Sequence, residues 1–141
     1  MDVAKGLLVS VLCLSSGLLA AQSHHSQWKK VYERDLTDFE LSPEGSGLVL
    51  FAQLQGRCRM DVDFYGETGK DKYRYEFTRD RLTAGSHQEY RYTAASLSEV
   101  TKDKIKLVRN EKLNPASAAV KKEFQDIYQY VPNKVLKKYC F

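Results

Sequence analysis

The sequence predicts an α+β domain in which an antiparallel sheet, built from the N-terminal two thirds, carries C-terminal helices on one face. Two observations lead there. From Trp28 to about Thr93 hydrophobic residues recur at period two, the spacing of half-buried strands. After Ser96 the period lengthens towards that of a helix, and strands first with helices last is the order of a sheet covered on one side.

Ahead of the domain, Lys5 precedes an uncharged run from Gly6 to Ala21, the form of a secretory signal peptide over residues 1–21. Cleavage is expected after Ala21 or, with Ala21 and Ser23 as the small pair, after Ser23. The run is shorter than the roughly 20 apolar residues of a comfortable span, and no later segment is apolar enough to cross a bilayer, so no transmembrane span is expected. Residues 22–141 then form a single secreted domain, since no repeat, linker or low-complexity tract divides them. Cys13 leaves with the signal, which makes Cys58 and Cys140 a pair. In an oxidising compartment they most simply form one bridge, contributing on the order of 4 kcal/mol. Two buried thiols, or an intermolecular bridge through Cys140, are the alternatives.

Taken in order, Lys29 to Leu41 reads as one or two edge strands. From Gly47, residues Leu48, Leu50, Ala52 and Leu54 share one face while Val49 and Phe51 share the other, as in a central strand; Gln55-Gly56 follows as a tight turn. The clearest alternation is Cys58, Met60, Val62 and Phe64 against Arg57, Arg59, Asp61 and Asp63, which puts Cys58 on the core side. Gly66 to Lys72 reads as a turn. Tyr73, Tyr75 and Phe77 then alternate with charged and polar residues, Thr83 to Ser86 reads as another turn, and Tyr90 and Tyr92 alternate in the last strand.

Ser96 and Glu99 have capping-box spacing, and Leu97, Val100, Lys104, Leu107 and Val108 suit a helix, although Ile105 and Leu107 suit a strand as well. The reading for 97–108 leans to helix. Asn114-Pro115 is a stronger start signal, and Ala116, Ala119, Val120, Phe124, Ile127, Tyr128 and Val131 trace one amphipathic stripe ended by Pro132. Asn133 is placed to cap a short last turn towards Cys140.

The net charge of +4 is uneven: residues 102–141 hold ten Lys or Arg against four Asp or Glu, whereas 26–101 hold eleven against thirteen. Lys121, Lys122, Lys137 and Lys138 either solvate outer helix faces or attract an anionic surface. Dispersed lysines without an arginine or aromatic cluster argue against nucleic acid. His24, third in the chain after cleavage at Ala21, could complete a square-planar copper site, but any such terminus offers that geometry. His87, placed in a turn, reads as an ordinary surface residue. Asp61 and Asp63 share a strand face with Arg57 and Arg59, which favours a salt-bridged surface over paired acid and base. No nucleophile motif, phosphate loop or zinc spacing is present, so neither enzyme activity nor a cofactor is expected. Tyr73, Tyr75, Tyr90 and Tyr92 are candidates for a tyrosine-bearing binding face, or for core filling.

From about Gly47 onward the layout resembles a BRICHOS domain: an extended run containing Asp63-Phe64, aromatic strands, a turn into 97–108, and a late cysteine, Cys140. The cysteine pattern departs from that family's, because Cys58 precedes Asp63 and Tyr90 or Tyr92 stands where the first family cysteine would fall. The resemblance implies a secreted or luminal chaperone for aggregation-prone, β-forming segments. The residues themselves point first to a secreted, non-enzymatic binding or signalling domain for an extracellular protein or anionic surface, with a carrier of small apolar ligands as an alternative.

Overall fold

A computed structural model describes residues 27–141; the expected signal segment 1–21, the expected cleavage positions and His24 lie outside the described residues. Strands β1 (Lys29–Asp35), β2 (Ser46–Ala52), β3 (Arg57–Gly66), β4 (Gly69–Thr78), β5 (Arg81–Tyr92) and β6 (Ile105–Leu113) follow one another across a single sheet in chain order, each antiparallel to its neighbours. Helices α1 (Ala118–Tyr128) and α2 (Asn133–Tyr139) pack on one face. The α+β class and the N-to-C order of strands then helices are as the periodicity predicts.

Alternation sets the two faces. Leu48, Leu50 and Ala52 of β2 are buried, and β3 continues their rows with Cys58, Met60 and Val62. Across β3 and β4, Val62 sits opposite Tyr73, Met60 opposite Tyr75 and Cys58 opposite Phe77, so the inner face turns aromatic towards β4. Phe124 of α1 meets that aromatic row, with its ring 5.6 Å from Tyr75 and 5.2 Å from Phe77, and Tyr128 meets Phe77 edge-on at 5.5 Å. Val131 and Leu136 complete the layer. Each such side chain, once buried, stabilises the fold by roughly 1.5–3 kcal/mol.

Cys58 and Cys140 form an intramolecular disulfide across a sequence separation of 82, with Cα atoms 5.5 Å apart and both residues fully buried. Around it the chain is held twice more. The Arg79 N–H, in the turn between β4 and β5, donates to the Cys140 carbonyl at 2.8 Å. Gly56, at φ +70°, lies so near Phe141 that an added Cβ would sit 3.1 Å from its carbonyl oxygen. Only glycine suits both that backbone conformation and that approach.

Several local expectations are corrected. Segment 97–108 is two 3-10 turns, Leu97–Glu99 and Lys102–Lys104, running into β6, with no side-chain cap from Ser96. A helix there would have left the edge N–H and C=O groups of β5 unpaired, whereas β6 satisfies them. Thr83 to Ser86 is no turn: the chain reverses at Arg79-Asp80, and β5 runs straight through with a bulge beside Ala84. Gly85 is there because Leu113 of β6 crosses close, 3.1 Å from where a Cβ would stand. Gly66 to Lys72 shortens to a turn at Glu67-Thr68, with Gly66 paired to Gly69. Leu54 lies beyond β2 in a 3-10 turn and is 80% exposed rather than inward. Asn114 closes a turn one step early, accepting the Ala116 N–H at 2.9 Å, and α1 begins after Ser117 and ends at Tyr128, short of Val131.

Candidate functional site

The four candidate tyrosines divide between the two faces of the sheet. Tyr73 and Tyr75 lie on the inner face, their rings stacked with centroids 6.1 Å apart. Tyr90 lies opposite Lys70, on the outer face, and Tyr92 follows two residues on. The Lys70 ammonium stands 5.3 Å from the Tyr90 ring and 5.9 Å from that of Tyr65, giving the outer face a cation–π row. There is no single tyrosine surface.

On the inner face, where α1 draws away from the sheet, a groove of about 450 Å³ opens. Its floor is Phe64, Tyr73 and Tyr75, with Phe64 edge-on to Tyr73 at 5.8 Å. One wall is the loop Leu41, Ser42 and Pro43; the other is α1, which presents Glu123, Asp126 and Ile127, and Asp71 of β4 joins the lining. Three carboxylates thus converge on an aromatic floor, and among the described residues no lysine or arginine lines it. Tyr75 is 2% exposed. Burial, then the nearby Glu123 and Tyr73, push its phenol well above the usual tyrosine value, so the hydroxyl stays neutral. Tyr73 is raised by burial and by Asp71, Glu123 and Glu111, which places those carboxylates around the same ring.

His87 is the residue that sequence reasoning misplaced. It sits within β5, 7% exposed, stacked on Tyr73 at 4.4 Å. Its Nε2 is 2.7 Å from Asp71 Oδ1 and its Nδ1 is 3.2 Å from Glu111 Oε1. A neutral imidazole donates to only one of those oxygens; an imidazolium donates to both. With both nitrogens engaged, the ring acts as a brace that orients Asp71 beside Tyr73. The false turn at Thr83 to Ser86 hid it; its alternation with Ser86 and Gln88, in the strand that runs on to Tyr90 and Tyr92, was the available signal.

On the outer face Asp61, only 8% exposed, receives the Arg74 guanidinium through Nε at 3.0 Å and Nη2 at 3.2 Å. Arg59 lies between the rings of Phe51, at 4.2 Å, and Trp28, at 5.2 Å, with its Nε 3.1 Å from Asp61. The expected salt-bridged surface therefore holds for Asp61, with Arg74 of the next strand as its closest partner. The lysine candidates are all exposed on the helices: Lys122 pairs with Asp126 at 2.6 Å, Lys138 lies over the Tyr139 ring at 5.0 Å, and Lys121 and Lys137 face solvent. A larger hollow of about 580 Å³ lies beside β1 and the Glu44-Gly45 loop, but Tyr65 is the single aromatic ring in its described lining, and Asp35 there is occupied in accepting the Thr37 N–H at 2.8 Å. The groove on the inner face is the better-built site.

The space a carrier would need between sheet and helices is filled by Tyr75, Phe77 and Phe124. No helix among the described residues is long and apolar enough to cross a membrane. Fold and groove together define an α+β domain with an acidic, aromatic recess beside its first helix. No protein-family model, curated protein or solved structure matches the chain.

Proposed function

We propose that the chain is a small secreted, non-enzymatic binding domain, and that the groove beside α1 is its contact surface for an extracellular partner. The observation that carries this reading is the convergence of Asp71, Glu123 and Asp126 on a floor of Phe64, Tyr73 and Tyr75. Aromatic rings with a few placed polar groups are what binding surfaces use for area and orientation. Secretion is supported by the uncharged run to Ala21 and by a bridge of the kind kept in oxidising compartments. A binding role in place of a catalytic one is supported by the position of His87, whose two ring nitrogens both lie within hydrogen-bond distance of carboxylates in the brace beside Tyr73.

The test is affinity capture from native extracellular fluid with three forms of the tagged domain. A partner held by the wild type and by Tyr90→Ala/Tyr92→Ala, but lost with Tyr73→Ala/Glu123→Lys, is the expected result. Equal capture by all three forms refutes the groove as the contact surface.

A second reading, chaperoning of β-forming segments, is favoured by β6. This nine-residue edge strand is exposed on both faces, with Leu107 49% and Val108 55% exposed. Such an edge can pair an incoming strand. Delay of fibril growth at substoichiometric ratios is the expected behaviour, and unaltered growth at equimolar ratio counts against it.

A further inference from the structure

We infer that the occupant of this groove is the side chain of an arginine offered by a partner protein, held between the aromatic floor and Glu123. The inference rests on the groove being the binding surface, and adds what it recognises.

Two independent features point to a cation with N–H donors. The first is unmatched charge. His87 engages Asp71 and Lys122 engages Asp126, while Glu123 makes no ion pair with any described residue. The second is an unmatched polar group. Tyr75 is buried to 98% and lines the groove, yet its hydroxyl makes no hydrogen bond with the described residues. Where Tyr75 lines the groove, its hydroxyl oxygen can accept a guanidinium N–H.

The chain itself supplies the precedent for the geometry. On the outer face Arg59 lies between the rings of Phe51 and Trp28 and pairs with Asp61. The groove repeats that environment, rings and carboxylate together, without the cation. A planar guanidinium can stack on Tyr73 or Phe64 and pair with Glu123 at once, which a lysine ammonium does less well. Overall charge does not produce this preference: the chain is net +4, so a basic ligand is drawn by the local field of the groove against the field of the whole.

The experiment is a nuclear magnetic resonance titration of the bridged domain with the capped peptide Ac-Ala-Arg-Ala-NH2, and with the same peptide carrying citrulline, the neutral isostere of arginine. Saturable shifts confined to β4, the Leu41 to Pro43 loop and α1 are expected. Affinity should fall at least tenfold with citrulline and with Glu123→Gln, an exposed position whose change leaves the core intact, and severalfold with Tyr75→Phe. The Trp28 indole, on the outer face, should not respond. Equal response to the citrulline peptide, shifts centred on Asp63 and Glu33, or tighter binding of a free aryl-alkyl amine such as tryptamine would each overturn the inference. If arginine fails while groove substitutions still abolish partner capture, the occupant is wrong and the binding surface stands. If both fail, the groove has no such role.

Discussion

Removing the bridge tests how the domain is held closed. With a sequence separation of 82 between Cys58 and Cys140, the chain-entropy relation assigns the cross-link about 4.5 kcal/mol at 25 °C. Domains of this size are stable by only about 5–15 kcal/mol, so the loss is a third or more of the total. At a urea dependence of about 1.5 kcal/mol per molar, Cys58→Ala/Cys140→Ala should lower the unfolding midpoint by about 3 M. Wild type reduced with dithiothreitol keeps both sulfur atoms in the core and separates the cross-link from packing; its midpoint should fall nearly as far. A drop under about 1 M in the reduced wild type would refute the entropic reasoning. Two free thiols on unfolding without reductant would refute the bridge itself.

Asp61→Ala leaves Arg59, almost enclosed between rings, and Arg74 without their shared carboxylate. A loss of about 2 kcal/mol by urea unfolding is expected, since Arg74 is partly in solvent and recovers hydration; no loss would show the pair to be surface decoration. Alkaline stability follows from Tyr75. Its folded form holds the proton above the usual value of 10.0, so the stabilisation is fully present below about pH 10 and declines as pH rises further. Tyr75→Phe should flatten that decline above about pH 10, and an unchanged slope would assign it to other groups.

How much of this could be read in the sequence depends on what each signal encodes. The alternation of Cys58, Met60, Val62 and Phe64 with charged neighbours records one strand's two faces, and it was legible because inward and outward residues differ in chemistry. Tyr73 and Tyr90 both sit in alternating runs too, yet nothing within either run says that they face opposite ways. That depends on the pairing of Tyr90 with Lys70, a relation between strands. Segment 97–108 failed for a related reason: its propensity was balanced, and the deciding term was the open edge of β5. The groove was legible only as ingredients. Asp71 and Tyr75 come from one strand and Glu123 from a helix about 50 residues further on, and no local pattern announces that they meet.

The order of the strands also governs how the domain forms. Every strand pairs with its sequence neighbour, so the sheet is built from local hairpins, the tightest of them β3–β4 and β4–β5, each able to form as soon as its second strand is made. The helices answer to a slower clock. Until residues 118–140 arrive, Leu48, Met60, Val62 and Phe77 line a bare apolar face, and the cysteine that locks it has no mate. In the order of synthesis the six strands therefore precede the helices that cover them. A substitution that undocks α1 or α2 is expected to expose that face and to register as aggregation.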